Sequence, residues 1–313
     1  MDAEPVAGVR RRGAMSNRHL LSAVVLLASV GIAACGGASA TPVASAPASD
    51  APSPTANPDL IAHPMGSEEI VLRYDVAGGF VPPEFFAAHV PQFTLYGDGR
   101  VVFTSSAVVV EPDPDGAFPS QPLRTAQLTE TQVQDLILFA LRDGGLALAK
   151  TEYTNGMVAD APTSVFEIHA DNDSKTVSAY ALGMMGEPGP DTAMLTALTK
   201  LADRLGNFDQ GGTISGAVQY EAAAYRAVLT DAAGAQGVTV RAWPWPDLGM
   251  KDFAFPADPN QLAQGKRLLT PVEAAAIGVK GFESGITGGL YVSAPNGKTY
   301  SLVLRPLLPD EKA

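Results

Sequence analysis

The chain has 313 residues, 46% of them hydrophobic, and a formal net charge of −12 at pH 7. A nucleic-acid-binding protein needs a basic face that displaces counterions, and this acidic sequence supplies none, so we expect no nucleic-acid partner. Cys35 is the single cysteine, which excludes an intramolecular disulfide and a zinc site made of several cysteines.

The first element in chain order is an apolar run over residues 20–34, directly before Cys35. It is too short for a membrane-spanning helix, which needs about 20 residues. Its basic front end, apolar middle and small final residues are typical of a secretory signal peptide, so we predict a leader over residues 1–34. Three consecutive arginines make this leader long; a twin-arginine export signal and a true start at Met15 are the alternatives, and the second is favoured.

The sequence IAAC at residues 32–35 resembles the lipobox of bacterial lipoproteins. The resemblance implies that the sulfur of Cys35 receives a diacylglyceryl group and that the leader is cut just before it. Two or more acyl chains hold a protein firmly, because each buried methylene contributes about 0.8 kcal/mol. Cys35 is therefore the predicted lipidation site, the membrane is a predicted partner, and the predicted location is the extracytoplasmic side of the cell envelope. An incidental cysteine after an ordinary leader, or in a non-secreted protein, is the alternative.

Residues 36–64 consist largely of alanine, serine, proline and threonine. Such a segment cannot bury enough surface to offset chain entropy, so it is predicted to be a disordered tether. The leader removes four basic and two acidic residues, and the more acidic mature chain is expected to stand off anionic headgroups. The predicted organisation is a leader (1–34), a lipidated N-terminus and tether (35–66), and two folded modules (67–208 and 209–313).

The first module shows strand, hairpin and helix signals in turn. Alternating apolar residues over 70–76 predict a half-buried strand, and the Asp-Gly pair at 98–99 predicts a hairpin. Thr129 is a predicted N-cap with a capping-box glutamine three residues later. Alternation around a polar turn at 171–174 predicts a second hairpin, and Asp191 is the predicted cap of a second helix.

The second module follows a glycine-rich break at residues 211–212. Residues 222–229 are compatible with helix or strand, and strand is favoured; residues 238–242 predict another strand. Thr270, followed by a first-turn proline and a capping-box glutamate, predicts a helix start. The Asn-Gly pair at 296–297 predicts a closing hairpin.

These elements place the chain in the α+β class, with antiparallel sheets and packed helices. Both modules run from a strand to a threonine-capped helix and then to a hairpin, which suggests a divergent internal repeat. Chance similarity is an equal alternative, and different strand orders in the two sheets would exclude a repeat.

The first module also resembles a group of uncharacterised exported bacterial α+β domains, over about residues 68–205. The resemblance rests on the hairpin YGDGRV at 96–101, the helix after Thr129, and the strand start DAPT at 160–163. It implies a fold and an exported location only, because that group has no established activity.

No motif predicts a catalytic residue. Serine hydrolases carry G-x-S-x-G with a histidine base, and GTISG at residues 212–216 has the wrong spacing. The three histidines of the mature chain fall in different settings: His63 in the tether, His89 in a loop, and His169 on the exposed side of a strand. We expect solvated surface histidines.

No metal or cofactor is predicted either. Residues 111–116 imitate the start of an EF-hand loop, but Pro122 stands where a bidentate glutamate is required. A nonstandard calcium site around Asp113 and Asp115, or around Asp171 and Asp173, is the alternative.

Trp243 and Trp245, between prolines, are the predicted binding surface, because exposed aromatic rings on a stiff loop stack on sugars or contact partners. Packing of both indoles over a sheet edge is the alternative. The favoured function is a non-enzymatic envelope protein that binds an unknown envelope protein or ligand. The alternatives are a small-ligand or inhibitor-like module, and a hydrolase built from scattered carboxylates such as Asp75, Glu84 and Glu167.

Overall fold

The computed structural model describes residues 60–184, 189–211, 214–258 and 261–312. Over these residues the chain has a mixed α+β fold with two sheets and four α-helices, which confirms the predicted class. The predicted leader, Cys35 and most of the predicted tether lie outside the described residues. No helix in the described ranges is long and apolar enough to cross a bilayer.

In chain order the elements are β1 (Ile70–Gly78), α1 (Pro83–Ala88), β2 (Phe93–Tyr96), β3 (Arg100–Thr104), β4 (Phe118–Pro119), β5 (Leu123–Gln127), α2 (Glu130–Leu141), β6 (Glu152–Tyr153), β7 (Pro162–Ala170), β8 (Asp173–Tyr180), α3 (Thr192–Gly206), β9 (Val218–Gln219), β10 (Tyr225–Asp231), β11 (Val240–Ala242), β12 (Gln264–Leu269), α4 (Pro271–Ala275), β13 (Ile286–Gly288), β14 (Tyr291–Ser293) and β15 (Thr299–Pro306).

The first sheet has the order β6-β8-β7-β1-β2-β3-β5-β9, and the second has the order β11-β14-β15-β10-β12, with β13 bridging β15 to β4. The β6–β8 and β11–β14 pairs are parallel and the others antiparallel. All three predicted hairpins are confirmed, as β2–β3, β7–β8 and β14–β15. The favoured strand over residues 222–229 is also confirmed, as β10.

Two of the three predicted helix caps are confirmed. Thr129 and Thr270 both form complete capping boxes, at the start of α2 and α4. Asp191 was predicted to cap α3, and this is wrong, because its carboxylate makes no cap hydrogen bond and instead accepts from Lys150 Nζ at 2.7 Å. The hydroxyl of Thr192 accepts the Gly189 N–H there, at 2.8 Å.

The first residues described correct the predicted end of the tether. Ile61 N donates to Gln134 Oε1 at 2.9 Å, and Ala62 O accepts from Asp171 N at 2.6 Å. His63 also has its side chain almost fully buried. These contacts fix residues 61–63 to α2 and to the β7–β8 turn, so they belong to the folded body.

The described residues form one compact unit with two main hydrophobic clusters. One cluster lies under the first sheet with α2 and α3, and the other lies on the second sheet. Strand β4 of the first predicted module pairs with β13, and β9 of the second pairs with β5. Each predicted module therefore contributes a short strand to the other's sheet, and the boundary at residue 209 stays a prediction.

The strand orders contradict the internal repeat. In the first sheet, the leading strand of the hairpin, β7, lies beside β1, and β8 is outside it. In the second sheet, the trailing strand, β15, lies beside β10, and β14 is outside it. The two strands of the hairpin thus lie in opposite orders in the two sheets. The two predicted modules share an order of elements along the chain but not a sheet topology.

Candidate anion-binding groove

Strand β10 presents different side chains to the two faces of the second sheet. Ala227 and Leu229 point into the second core. Val228 points to the opposite face, where it packs with Val303 and with Ala88 of α1. Successive residues alternate between faces, so Arg226 lies on the same face as Val228.

Helix α1 lies over β15, β13 and β10. Beside it, towards β12, remains an open cavity of about 540 Å³. We call this cavity the α1 groove, and the lining residues that matter here are Phe86, Arg226, Leu262, Lys266, Arg305 and Glu311.

Two arginines face each other across the strands of the groove. Arg226 on β10 is the direct partner of Arg305 on β15, and like charges in that position destabilise a sheet by several tenths of a kcal/mol. Arg305 is neutralised: its Nε donates to His89 O at 2.5 Å and its Nη2 pairs with Glu311. The side chain of the half-buried Arg226 has no hydrogen bond or ion pair with any described residue. The groove therefore holds an uncompensated positive charge.

This lack of any side-chain partner separates Arg226 from the other partly or fully buried arginines of the described ranges. Each of those has an acceptor or an aromatic ring: Arg73, Arg100, Arg124, Arg204, Arg241, Arg267 and Arg305. Lys266, the cross-strand partner of Val228, adds a second cation without an ion pair among the described residues. In a chain so rich in carboxylates, two free cations in one cavity indicate a site for an anionic group from outside.

The lining of the α1 groove combines polar and charged side chains with apolar ones. Phe86 of α1 is 52% exposed and Leu262, which precedes β12, is 54% exposed. A guanidinium binds carboxylate or phosphate oxygens through paired hydrogen bonds, while the two apolar side chains suit a hydrocarbon portion. The groove therefore fits an anion that carries an apolar part.

A second cavity, of about 410 Å³, lies between α3 and the end of β8. Thr192, Thr196 and Thr199 line it, and the hydroxyls of Thr196 and Thr199 donate to carbonyls within α3. Its described lining contains no charged side chain, so it offers no comparable recognition of an ion.

The structure corrects the predicted tryptophan surface. Trp245 is only 3% exposed, and its indole N–H donates to Glu273 O at 2.7 Å. Trp243 is half-buried, donates to Leu248 O at 2.7 Å, and packs edge-to-face on Trp245 with ring centroids 5.1 Å apart. Both indoles also contact Phe253. The pair is a structural cluster of the second core, because both polar atoms are already bonded inside the protein.

The histidines are bonded rather than solvated, which corrects that expectation. His63 contacts Glu130 at 3.1 Å, and His89 contacts Asp75 at 2.5 Å. His169 bonds Glu167 at 2.7 Å and Ser174 at 2.8 Å.

The chain Glu167–His169–Ser174 imitates a hydrolase triad, and sequence reasoning missed it. However, His169 and Ser174 are direct cross-strand partners of the β7–β8 hairpin, so ordinary strand pairing explains their contact. The Ser174 N–H, a candidate oxyanion donor, already donates to Asp173 Oδ1 at 2.8 Å. The carboxylates of Asp75 and Glu167 are held by different histidines, so they do not form a paired acid–base site.

An arginine side chain lies where the alternative calcium site around Asp113 would be. Arg241 Nη2 pairs with Asp113 and lies 3.1 Å from Asp115 Oδ2, so a guanidinium occupies the place where a metal would bind. Within the described ranges no group of three or more histidine, cysteine or acidic residues is placed to hold a metal ion.

No protein-family model, curated protein or solved structure matches this chain significantly. The assignment of a site therefore depends on the chemistry of the groove itself.

Proposed function

We propose that this chain is an extracytoplasmic lipoprotein, anchored through acyl chains on Cys35, whose α+β body is a binding protein. We further propose that its binding site is the α1 groove and that the ligand carries an anionic group. The observation that carries the site is Arg226, which faces Arg305 and has no carboxylate partner among the residues that the structure describes. The leader pattern and the lipobox-like residues 32–35 support the anchor.

Replacing Cys35 with serine is expected to move the protein from the membrane fraction to the soluble fraction. The serine oxygen does not offer the sulfur to which the lipid is attached, and the acyl chains supply the membrane affinity. Cell fractionation, with mass spectrometry of the native N-terminal peptide, measures both consequences. A bare thiol at Cys35, or a leader still joined to it, would refute the anchor.

Replacing Arg226 with glutamine is expected to weaken binding of an anionic probe by about tenfold or more. A hydrogen bond to a charged group contributes about 1.5–3 kcal/mol, and Arg226 supplies the guanidinium with no competing partner. Isothermal titration of the full chain with pyrophosphate measures the change. Arg142→Gln is the matched control, because Arg142 is exposed and lies at the end of α2, away from the groove. Equal losses in both variants, or no saturable binding by the unmodified protein, would contradict the site.

A further inference from the structure

Exposed aromatic residues cluster on and just before helix α1. Phe80 is 92% exposed, and Phe85 and Phe86 are exposed on the helix with ring centroids 6.5 Å apart. These three rings fall within seven residues of sequence. On a helix that lies in the plane of a membrane surface, phenylalanine side chains enter the boundary between headgroups and acyl chains.

The α1 groove is layered in the order that a bilayer lipid requires. Its cations, Arg226 and Lys266, stand on the strands that form the floor, while Phe86 and Leu262 stand on the walls and are exposed. A lipid in a bilayer presents its phosphate outward and its acyl chains inward. A phosphate seated on the floor would contact these cations, with Phe86 and Leu262 beside the start of the acyl chains. A free small anion gains nothing from exposed walls of this kind.

The overall acidity of the chain does not prevent such a contact. At physiological salt the screening length is about 8 Å. The charges near the contact therefore decide whether the membrane attracts or repels the protein there. Those include Arg226 and Lys266, which have no ion pair among the described residues, and the neutralised pair of Arg305 and Glu311. They also include Glu84 of α1, which offsets one of the two cations.

The predicted anchor also favours contact with the membrane. Only 24 residues separate Cys35 from Leu60, the first described residue. Fully extended, that length spans at most about 90 Å. A body held within this distance meets the membrane at a high effective concentration, so a weak surface contact becomes sufficient.

We infer that the α1 groove binds the phosphate of an anionic phospholipid in the membrane surface, and that α1 lies on the bilayer. This rests on the proposed function, which assigns the anchor and the anion site. It replaces the expectation, drawn from net charge alone, that the body stands off anionic headgroups.

The test is cosedimentation of the full chain carrying Cys35→Ser with lipid vesicles. One set contains equal parts of phosphatidylcholine and phosphatidylglycerol, and the other contains phosphatidylcholine alone. The leader is common to every variant and therefore cancels between variants, but its own arginines favour anionic vesicles, so the ratio between variants carries the test. We expect binding to favour the anionic vesicles and to fall about fivefold for each cation removed in Arg226→Gln and Lys266→Gln. The pair Phe80→Ser and Phe86→Ser should also weaken binding, with an unchanged unfolding midpoint, because both rings are exposed.

The matched controls lie in the first predicted module. Arg142→Gln with Lys150→Gln removes two exposed cations, and Leu148→Ser removes an apolar side chain that is 85% exposed. Equal losses in these controls, or equal binding to both vesicle types, would overturn the inference. Pyrophosphate binding at Arg226 without vesicle binding would overturn the inference and leave the proposed function standing. Absence of both would refute the two together.

Discussion

Replacing Trp245 with alanine is expected to lower the free energy of unfolding by about 3–5 kcal/mol, the range found when a large buried aromatic residue is removed. The indole is almost fully buried, packs against Trp243 and Phe253, and satisfies Glu273 O. Alanine would leave both a cavity and an unpaired carbonyl. Urea-induced unfolding followed by circular dichroism measures the loss.

Two matched variants interpret that result. Trp243→Ala should destabilise less, because Trp243 is only half-buried. Val272→Ala should leave stability nearly unchanged, because Val272 is 80% exposed. If Trp245→Ala kept the normal unfolding midpoint while abolishing binding to a partner, the packing account would be wrong and the tryptophans would again be a binding surface.

Replacing Asp310 with alanine is expected to lower the free energy of unfolding by about 2–4 kcal/mol. Asp310 Oδ1 accepts the hydroxyl of the fully buried Tyr96 at 2.6 Å and lies 2.8 Å from Arg73 Nη2. The contact with Arg73 has ion-pair distance without the alignment of a good hydrogen bond. Removing the carboxylate leaves a buried hydroxyl and a largely buried cation without their partner. Asp310→Asn, which keeps an acceptor for Tyr96, should destabilise less.

The contacts of Asp310 with Tyr96 and Arg73 also predict how the free energy of unfolding depends on pH. Burial alone would raise the pKa of Asp310, but the bonds from Arg73 and Tyr96 outweigh it and lower that pKa. A carboxyl whose pKa is lower in the folded state stabilises the protein above its ordinary pKa of about 4 and loses that contribution as pH falls through the folded value. Unfolding measured between neutral pH and pH 3 should therefore show a steeper acid loss in the unmodified protein than in Asp310→Ala. An equal loss of stability with falling pH in both proteins would contradict this role of Asp310.

Local signals predicted the elements whose geometry is decided by neighbouring residues. The Asp-Gly pair at 98–99 forms the β2–β3 turn, and the capping boxes at Thr129 and Thr270 begin α2 and α4. In each case the partner atoms lie within three or four residues, so the sequence contains the whole interaction. Asp191 failed because a distant cation, Lys150, captured its carboxylate.

Features made of distant residues were not predictable in this way. The two-residue strands β4 and β9 have no periodicity of their own, and each exists only because the other sheet offers an edge. The reversed order of the β14–β15 hairpin is likewise set by long-range pairing with β10. Sequence alternation therefore predicted several of the strands, but neither the two-residue strands nor the places of the strands in the sheets.

The candidate site shows the same limit. The α1 groove joins Phe86 to Arg226 and Arg305, which are far apart in the chain. One sequence signal was present: Arg226 and Arg305 each stand within a run of apolar residues, at 225–229 and 302–308, where a charge needs a partner. Glu311 pairs with Arg305 and not with Arg226, and only the folded chain shows which of the two arginines has this partner. Trp243 and Trp245 were selected by residue type instead, and burial decided against them.

Titration of the full chain with pyrophosphate, followed through the side-chain N–H signals of its arginines in proton–nitrogen correlation spectra, tests the central claim most directly. The account predicts that the Nε–H signal of Arg226 shifts and saturates, while that of the exposed Arg142 stays unchanged. Shifts confined to residues around the threonine-lined cavity, with Arg226 unaffected, would contradict it.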